Sequence, residues 1–384
     1  MKMHITKFIW NLLQKKKWIM KKLKVGLVGL GGLGRGSAYG NLFNAHPRTQ
    51  VSAICDINKN VLEEHRKYFG LSNSQCFDNY DEFIKRADVD IVVIGTPIPV
   101  HAEQSIKAME AGKHVLCEVT MANNVKDCEM VVRTARKTGM KYMMAENYYY
   151  FHYIQEWRKM IKEGRLGRIF YAEAEYVHQI RDLLRDPKTG KLLWRANRPP
   201  IHYISHCLGP LLMLLNDRVV KATGSGKTNF IMSDVGVGAI DMQVAIFETA
   251  KGATIKVLRS QVAPREPPLV YYCIYGTKGF VENGRGAHPY AQNVSRGLLF
   301  IEGEDKIARE VDWYISDPSA PEEARRGGHG TSEYYLVRDF INAIETDTTP
   351  PIDAVKAADI TLPGLIAHEA AMKGNIWLDV PHFE

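Results

Sequence analysis

The sequence predicts an α/β protein with a parallel sheet in its N-terminal part and an open, mainly antiparallel sheet in its C-terminal part. Over residues 23–148, short β-branched apolar runs alternate strictly with helical stretches, which is the pattern of a right-handed parallel sheet. After residue 150, strand-like runs separated by Gly and Pro turns dominate, which is typical of an open antiparallel sheet. A chain of 384 residues has room for both parts.

The first part is predicted to begin with the apolar run KVGLVGL and a glycine-rich turn, followed by a helical stretch to about residue 45. Further strands are predicted at QVSAICD, which ends at Asp56, and at DIVVIGTP, KHVLCE and KYMMAEN. The helices between them are expected over residues 59–70, 99–112 and 123–138.

The second part is predicted to begin with a helix over residues 151–163 and the strand RIFYAEAEYV. A loop rich in Arg, Pro and Lys follows over residues 181–201, and a helix is expected to start near His206. The remaining segments are predicted strands at 239–249, 252–261, 269–276, 279–283 and 297–302, a loop-like stretch at 303–330, and helices at 331–346 and 353–373.

The net charge of +7 is concentrated at the N-terminus. Residues 1–24 contain eight lysines and no acidic residue, so the rest of the chain sums to −1. The total therefore predicts no basic groove and no nucleic-acid partner. The apolar run at residues 8–13 is too short for a secretory signal or a membrane span. Residues 1–22 are interpreted as an extension: a basic amphipathic helix, a disordered tail, or upstream sequence before a true start at Met20.

The six cysteines are scattered, and no two of them have CxxC spacing. This pattern predicts reduced, mostly packing cysteines in a cytoplasmic protein. No cluster of Cys and His has the spacing of metal ligands, so no metal site is predicted.

The glycine-rich turn predicts a dinucleotide-binding site. Gly29, Gly31 and Gly34 form GxGxxG directly after the first predicted strand and at the start of a helix, the context that this motif requires. The glycines let the backbone approach a pyrophosphate, and the helix N-terminus supplies N–H groups. Asp56 ends the second strand, where a carboxylate accepts from the adenosine ribose and repels a 2′-phosphate. A Rossmann domain that binds NAD rather than NADP is therefore predicted, the alternative being a glycine-rich turn in another α/β fold.

Six segments resemble the glucose-fructose oxidoreductase / inositol dehydrogenase (Gfo/Idh/MocA) family over residues 23–380. They are GLVGLGGLGRG, ICDIN, GTPIPVH, AGKHVLCE, GTKGF and AHEAAMKGNIW. The resemblance implies a Rossmann domain at 23–148 and a C-terminal α/β domain at 149–384 whose open sheet often mediates oligomers, so a homodimer or homotetramer is expected. It also implies cofactor contacts at Thr96, Pro97, His101 and Glu118, with Asn147 near the nicotinamide end.

Two features depart from ordinary dehydrogenases of this family. Those carry Glu-Lys-Pro after the fourth strand, and the lysine assists proton transfer from the hydroxyl being oxidised, whereas here the triplet is Glu118-Val119-Thr120. In ordinary members the histidine matching His206 is paired with an acid four residues earlier, and that position is His202 here. The missing lysine argues against a simple dehydrogenase mechanism.

Other segments resemble one branch of this superfamily, the NAD-dependent glycosidases of glycoside hydrolase family 109, typified by α-N-acetylgalactosaminidase. The similarity lies in AENYYY, in Tyr176 of AEYVH, in Tyr203 and His206 of HYISHCLGP, in GGHG around His329 and in WLDVPHF. In this branch a sugar C3 hydroxyl is oxidised by NAD⁺, the C2 proton is removed, and the C1 substituent leaves. Water then adds and the hydride returns, so NAD is held and not consumed.

The resemblance implies four catalytic residues. His206 is the candidate base or polariser for the C3 hydroxyl, the alternative being a helix residue satisfied by backbone. Tyr203 and Tyr176 are candidates for proton transfer at C2, provided that their setting lowers the tyrosine pKa; the alternative is packing. His329 sits in a glycine loop whose flexibility could let the ring approach a substrate, or marks only a surface turn.

Candidate substrate contacts rest on residue type alone. Glu146 precedes Asn147 and could shape the substrate end, or act as a capping carboxylate. Trp194 can stack on a sugar face, and Arg195 and Arg265 can bind acidic groups on a sugar, although a solvated loop is the alternative.

Three hypotheses for function remain open at this stage. The first is an NAD-dependent enzyme that cleaves a glycoside through oxidation at C3. The second is a sugar or polyol dehydrogenase with net turnover of NAD(P). The third is a catalytically silent protein that binds NAD or a sugar. In each, the partner is a small-molecule sugar or glycoside and no membrane span is expected.

Overall fold

The first sheet of the computed structural model is parallel, with six strands in the order β3-β2-β1-β4-β5-β6. The structure describes residues 22–31, 35–285 and 293–384. All four residues of β4 are buried, as expected for a parallel strand covered on both faces. The order is that of a doubly wound Rossmann sheet. The strands are β1 (Leu23–Val28), β2 (Thr49–Cys55), β3 (Cys76–Phe77), β4 (Ile91–Ile94), β5 (His114–Cys117) and β6 (Tyr142–Met144).

The helices that cover this sheet are ended by local signals in the sequence. One of them begins after Asn58, whose side chain accepts from two backbone N–H groups, and ends at the left-handed Gly70. Another begins after Asn124 and ends at the left-handed Gly139. The helices are α1 (Arg35–Ala45), α2 (Lys59–Phe69), α3 (Tyr80–Arg86), α4 (His101–Glu110) and α5 (Val125–Thr138).

The second sheet has nine strands in the order β14-β13-β12-β11-β7-β10-β9-β8-β15. Only β7 and β10 run parallel to each other, and the other neighbouring pairs are antiparallel. The strands are β7 (Ile169–Val177), β8 (Val219–Ser225), β9 (Gln243–Thr249), β10 (Thr254–Ser260), β11 (Leu269–Gly276), β12 (Gly279–Glu282), β13 (Val294–Ile301), β14 (Arg309–Tyr314) and β15 (Leu378–Asp379).

The last two helices return to the first sheet. The helices of the second half are α6 (His152–Lys162), α7 (Ser205–Leu215), α8 (Ser332–Glu345) and α9 (Ala354–Met372). Helix α8 packs against α1, and α9 packs against both α5 and β8. The N–H of Met144 in β6 donates to the carbonyl of Ile352 at 3.0 Å. One continuous hydrophobic core therefore includes residues of both sheets.

The predicted fold class is confirmed, while several small elements were not foreseen. The sequence analysis missed β3, β8, β15 and α3, and its loop-like stretch at 303–330 contains β14. In β14 only Trp313 is fully buried, because this strand lies at the edge of the sheet. Its polar composition therefore resembles a loop. The domain boundary at residue 148 stays a prediction.

No helix in the three described ranges is long and apolar enough to cross a membrane. All six cysteines are free thiols, and five of them are buried. Residues 1–21 and Gly34 lie outside the described residues, so the predictions that concern them stay predictions.

Candidate active site

The predicted cofactor residues lie at the carboxyl ends of the parallel strands. Gly29 follows β1, Asp56 follows β2, Thr96 follows β4, Glu118 follows β5 and Asn147 follows β6. In an open α/β sheet this edge is where ligands bind. The fold therefore brings to one edge five residues that are far apart in the chain.

The glycine-rich turn is packed too closely for side chains. Gly29 has a φ of +80°, and a Cβ there would lie 2.7 Å from the Thr96 nitrogen. A Cβ on Gly36 would lie 2.6 Å from the Gly29 carbonyl oxygen, and one on Gly95 would lie 3.0 Å from the same atom. Backbone of α1 and of the turns after β1 and β4 is thus in direct contact. Sequence reasoning missed Gly36 and Gly95, although both stand in the segments that carry the family resemblance.

The Asp56 carboxylate closes the glycine-rich turn. Its Oδ2 accepts from the N–H groups of Leu30 at 2.8 Å and Gly31 at 3.1 Å, and its Oδ1 accepts from Asn58 at 2.8 Å. Two carboxylate oxygens have about four lone-pair sites, so acceptor capacity remains for a ribose hydroxyl. A Cβ on Gly31 would lie 3.7 Å from Oδ2, in the space that such a hydroxyl needs. These residues fit NAD, and the negative charge disfavours a 2′-phosphate.

The His101 side chain is buried between the turns after β4 and β5, behind the cofactor edge. The side chain is 1% exposed, its Nε2 lies 2.7 Å from the Thr96 carbonyl oxygen, and its Nδ1 lies 2.8 Å from that of Thr120. Because both partners are acceptors, the ring bonds both only when it carries two protons. Burial lowers the pKa of His101, but contacts with Cys117 and the two carbonyls raise it to about 9. The ring thus bridges the turns after β4 and β5, and its predicted contact with the cofactor stays a prediction.

Thr96 and Pro97 lie on the cofactor side of the turn after β4. The Thr96 hydroxyl donates to the Gln104 side chain at 2.6 Å, which anchors the turn to α4. Pro97 is exposed, and it starts the short 3₁₀ turn that leads into that helix. Both positions remain accessible to a cofactor.

Arg35, the first residue of α1, connects two carboxylates. Its Nε donates to Glu118 Oε1 at 3.1 Å and its Nη2 donates to Glu333 Oε1 at 2.6 Å. Burial lowers the pKa of Arg35, but Glu118 and then Glu333 raise it well above its usual range. Burial raises the pKa of Glu333, but His329 and Arg35 bring it well below its usual range. Sequence reasoning missed both Arg35 and Glu333, because they are 298 residues apart in the sequence and only the fold brings them together.

His329 and Asn147 share the Glu333 carboxylate. The His329 Nδ1 lies 2.5 Å from Glu333 Oε1 and 3.0 Å from Arg35 Nη1. The Asn147 side-chain amide donates to Glu333 Oε1 at 3.1 Å. The glycine loop thus holds the His329 ring in a network of hydrogen bonds, and the side chain remains 26% exposed.

His206 and Glu146 form a buried pair. The His206 Nδ1 lies 3.0 Å from each Glu146 oxygen, and Glu146 Oε1 also accepts from the Tyr148 N–H at 3.0 Å. Since Nδ1 faces a carboxylate, it carries a proton, and Nε2 of the neutral ring is left as an acceptor. Glu146 is fully buried and orients His206, and its predicted contact with a substrate stays a prediction.

Gly209 makes room for this pair. It lies one helical turn after His206 in α7, and a Cβ there would lie 2.5 Å from the Cγ of Glu146. A side chain at this position would therefore displace the carboxylate. The glycine stands in the HCLGP segment, and its proximity to Glu146 could not be predicted from the sequence.

The acid partner of His206 does not come from the position that the resemblance implies. His202, which stands at the expected acid position, packs edge-on against His368 with ring centroids 5.1 Å apart. Burial, and then the neighbouring His368, lowers the pKa of His202 to about 3, so the ring is neutral at pH 7. Glu146, sixty residues before His206, supplies the carboxylate instead.

Three tyrosines surround His206. The Tyr203 hydroxyl lies 3.2 Å from His206 Nε2. The Tyr148 ring stacks on the imidazole at a centroid distance of 3.8 Å, and the Tyr176 ring lies 5.6 Å away. His329 lies on the far side of the cluster, with its ring centroid 6.2 Å from that of Tyr148. Three of the four predicted catalytic residues thus lie around Tyr148, which sequence reasoning did not single out, and Tyr203 joins them through His206.

The tyrosines do not have the lowered pKa that a base would need. Burial, followed by the influence of Tyr176, raises the pKa of Tyr203. Burial also raises the pKa of Tyr176, and the nearby Arg259 offsets this only in part. The condition set for a tyrosine base is therefore not met, and both phenols are protonated at neutral pH. The Tyr176 hydroxyl and His178 Nδ1 are 2.9 Å apart.

The loop at 181–201 places cations beside the tyrosines. The Arg195 guanidinium lies 4.4 Å from the Trp194 ring centroid, and Arg198 lies 5.5 Å from the same centroid and 4.5 Å from that of Tyr203. Arg265 is not brought into this group by any contact within the described residues, because its guanidinium donates to the Arg285 carbonyl. Of the predicted substrate contacts, Trp194 and Arg195 therefore adjoin the site.

Two family models match this sequence. Residues 23–146 match a model described as the oxidoreductase family with an NAD-binding Rossmann fold, and residues 154–282 match the GFO/IDH/MocA C-terminal domain. A glycosyl hydrolase family 109 protein of Shewanella pealeana is 27% identical, over 95% of this chain and 86% of its own length.

Solved structures agree on the fold. An oxidoreductase domain protein from Kribbella flavida superimposes with a TM-score of 0.78 at 22% identity, covering 94% of this chain and 100% of its own. An aldose-aldose oxidoreductase from Caulobacter crescentus, complexed with glycerol, gives a TM-score of 0.75 at 22% identity with the same coverage. The two family models together cover about two thirds of the sequence, in the order of the two sheets. The chain belongs to the Gfo/Idh/MocA family of NAD-dependent enzymes, with relatives in glycosyl hydrolase family 109.

Proposed function

We propose that this enzyme cleaves a glycosidic bond through transient oxidation of the sugar at C3. The observation that carries the proposal is the hydrogen-bonded chain of Glu146, His206 and Tyr203 beside the cofactor edge. NAD, when bound, supplies the acceptor of the hydride and returns the hydride at the end of the turnover. The similarity to family 109 glycosidases over nearly the whole chain supports the same chemistry.

The C3 hydroxyl loses its proton to His206. Glu146 holds Nδ1, so Nε2 is the atom that takes the proton, and the buried carboxylate stabilises the imidazolium that results. The Tyr203 hydroxyl, 3.2 Å from Nε2, relays the proton: its oxygen accepts from the sugar as its own hydrogen passes to the ring. This relay needs no anionic tyrosine, which agrees with the raised pKa of Tyr203.

Removal of the C2 proton is assigned to Tyr176, which is also a neutral phenol next to an imidazole. Its hydroxyl and His178 Nδ1 are 2.9 Å apart, so the phenol accepts the C2 proton as its own hydrogen passes to the imidazole. His329 is hydrogen-bonded to Glu333 and partly exposed. We assign it as the acid that donates a proton to the leaving group. The position of each ring beside Tyr148 supports both assignments.

A sugar or polyol dehydrogenase is the second candidate. Arg35 contacts Glu118, which places a cation near the position where ordinary family members have lysine. A guanidinium polarises a hydroxyl but does not release a proton at neutral pH. Arg35 is therefore suited to binding a substrate but not to replacing the lysine in proton transfer. For this reason the dehydrogenase ranks second.

The test is hydrogen exchange at C2 in D₂O across a panel of sugars and aryl glycosides. Exchange together with release of the aglycone, and without net NADH, is the expected result. Accumulation of NADH in proportion to a ketosugar would establish the dehydrogenase instead. Absence of exchange, cleavage and NADH with every sugar would overturn both and favour a binding protein, which ligand-induced shifts in Tm would detect.

We also propose that the outer face of the second sheet joins copies of the chain into a dimer or tetramer. Four aromatic rings form a row across β7, β11, β12 and β13, with successive centroids 6.2, 5.3 and 6.4 Å apart. Such a row on a sheet face suits a second copy of the same surface. The rings are Tyr171, Tyr275, Phe280 and Phe300. Light scattering should give an oligomer, and Tyr275→Glu should shift it towards monomer; a wild-type monomer would refute the proposal.

A further inference from the structure

Among the described residues, three arginines beside the catalytic cluster have no carboxylate partner. We call Arg195, Arg198 and Arg259 the arginine cluster. The Arg198 guanidinium lies 4.5 Å from the Tyr203 ring centroid and the Arg259 guanidinium lies 5.5 Å from it. Because the Tyr203 hydroxyl lies 3.2 Å from His206 Nε2, one aromatic ring separates these charges from the reacting centre.

The charges of the cluster are not neutralised by the protein. In the part of the chain that the structure describes, no Asp or Glu forms an ion pair with any of the three, and the main electrostatic influences on them come from one another and from tyrosines and a cysteine. The segments outside the description, residues 1–21, 32–34 and 286–292, contain no Asp or Glu either. The contrast is Arg35, which binds two carboxylates on the cofactor side.

The two buried members of the cluster differ in how their N–H groups are used. Arg259 donates to the backbone carbonyls of Tyr176 and Tyr203 at 3.1 and 3.3 Å, which is the bonding of a structural anchor. Arg198 donates to the Gln261 side chain at 2.6 Å, while its buried Nε has no hydrogen-bond partner. Arg198 is 7% exposed. It is therefore the member with donors left for a ligand.

A buried guanidinium without a counter-charge is strongly unfavourable. Burial, and then the charge of Arg259, lowers the pKa of Arg198 to about 9, so the group is still charged at neutral pH. An anion at this place would relieve the cost, since a guanidinium makes paired hydrogen bonds with two oxygens of an oxyanion.

Building on the function proposed above, we propose that the sugar substrate carries an anionic substituent that binds Arg198. The substituent is a carboxylate or a sulfate ester on the ring that reacts, because only the Tyr203 ring lies between Arg198 and His206. Arg195, stacked on Trp194, adds a second positive charge at the same end. The neutral sugar of the same configuration is expected to be a poor substrate.

Binding is tested with the NAD-loaded enzyme at constant ionic strength. The probes are glucuronate, galacturonate and glucose 6-sulfate, with glucose and galactose as neutral counterparts. Anionic sugars should raise the Tm, and the shift should disappear in Arg198→Gln and persist in part in Arg198→Lys. Arg185→Gln is the matched control, because Arg185 belongs to the same loop but pairs with the exposed Asp234. Equal shifts with neutral and anionic sugars, or an unchanged response of Arg198→Gln, would overturn the proposal.

Turnover separates this inference from the proposed function. With an anionic sugar, Arg198→Gln should lower kcat/KM for exchange at C2 about 10- to 100-fold, mostly through KM, as expected for a lost charged hydrogen bond. Exchange on neutral sugars alone, unaffected by Arg198→Gln, would overturn the anion site and leave the proposed function standing. Binding of anionic sugars that depends on Arg198, without exchange on any sugar, would do the reverse. Near-wild-type circular dichroism of Arg198→Lys keeps the test valid if Arg198→Gln does not fold.

Discussion

The cofactor edge and the catalytic cluster are built in different ways. At the cofactor edge, backbone makes the site: close glycine contacts shape a turn, and one carboxylate closes it. In the catalytic cluster, side chains make the site: Glu146 and His206, sixty residues apart, depend on each other for their orientation. A site made of backbone is formed by residues close together in the sequence, whereas a site made of side chains requires residues that only the whole fold brings together. Substitutions at the cofactor edge should therefore weaken NAD binding without lowering turnover at saturating NAD, and substitutions in the catalytic cluster should do the opposite.

The largest effect is expected when the Glu146–His206 pair is broken. His206→Asn and Glu146→Gln should each lower the rate of C2 exchange about 10²–10⁴-fold, the usual loss for a positioned acid or base. NAD affinity, measured by fluorescence titration, should stay near that of the wild type.

His152→Asn is the control, since this histidine faces Glu156 on α6 and not the cluster. If Glu146→Gln kept the wild-type rate, the orienting role of Glu146 would be wrong. If NAD affinity fell together with the rate, the two regions would not be separable.

The converse change is Asp56→Ala. It removes the acceptor for the turn N–H groups and for a ribose hydroxyl, so NAD affinity should fall about 10- to 100-fold, and discrimination against NADP should narrow. Turnover at saturating NAD should change little. Titration of both cofactors into wild type and variant measures this, and unchanged affinities for both would remove Asp56 from the ribose site.

A smaller effect is expected from Gly209→Ala. The added Cβ would lie 2.5 Å from Glu146 Cγ, so the carboxylate shifts and kcat should fall by about tenfold because misplacement of a catalytic pair is costly. Gly40→Ala is the matched control, since its Cβ would meet the side chain of Leu27, in strand β1 of the first sheet, at 2.6 Å. A loss of kcat in Gly40→Ala equal to that in Gly209→Ala would contradict this account.

The smallest effect concerns stability and not turnover. The pKa of His101 is raised from 6.5 to about 9 in the folded protein, so the stabilisation it provides is complete below pH 6.5 and is lost as the pH rises through 9. The difference in urea midpoint between wild type and His101→Asn should therefore be larger at pH 6 than at pH 9.5. A difference that does not depend on pH would show that the ring is not doubly protonated in the fold.

The same contrast explains how far sequence reasoning reached. The GxGxxG turn and Asp56 could be predicted because motif, strand and helix are contiguous, and the carboxyl ends of neighbouring parallel strands lie at the same edge of the sheet. His206 and the two tyrosines could be nominated from resemblance, but not their partners. The role of Glu146 could not be foreseen because Ala145 and Asn147 flank it in the sequence, while its partner His206 lies on α7, sixty residues later. Arg35 and Arg198 look alike in sequence, and only burial and neighbouring charges distinguish them.

The backbone bond between Met144 and Ile352 has a consequence for synthesis of the chain. Strand β6 forms one border of the first sheet, and its covering segment is made more than two hundred residues later. While the ribosome is translating the second sheet, this border has hydrogen-bonding groups without their final partner, which is the condition for erroneous strand addition. Nascent chains released at residue 345 should therefore sediment as aggregates, and full-length chains should not.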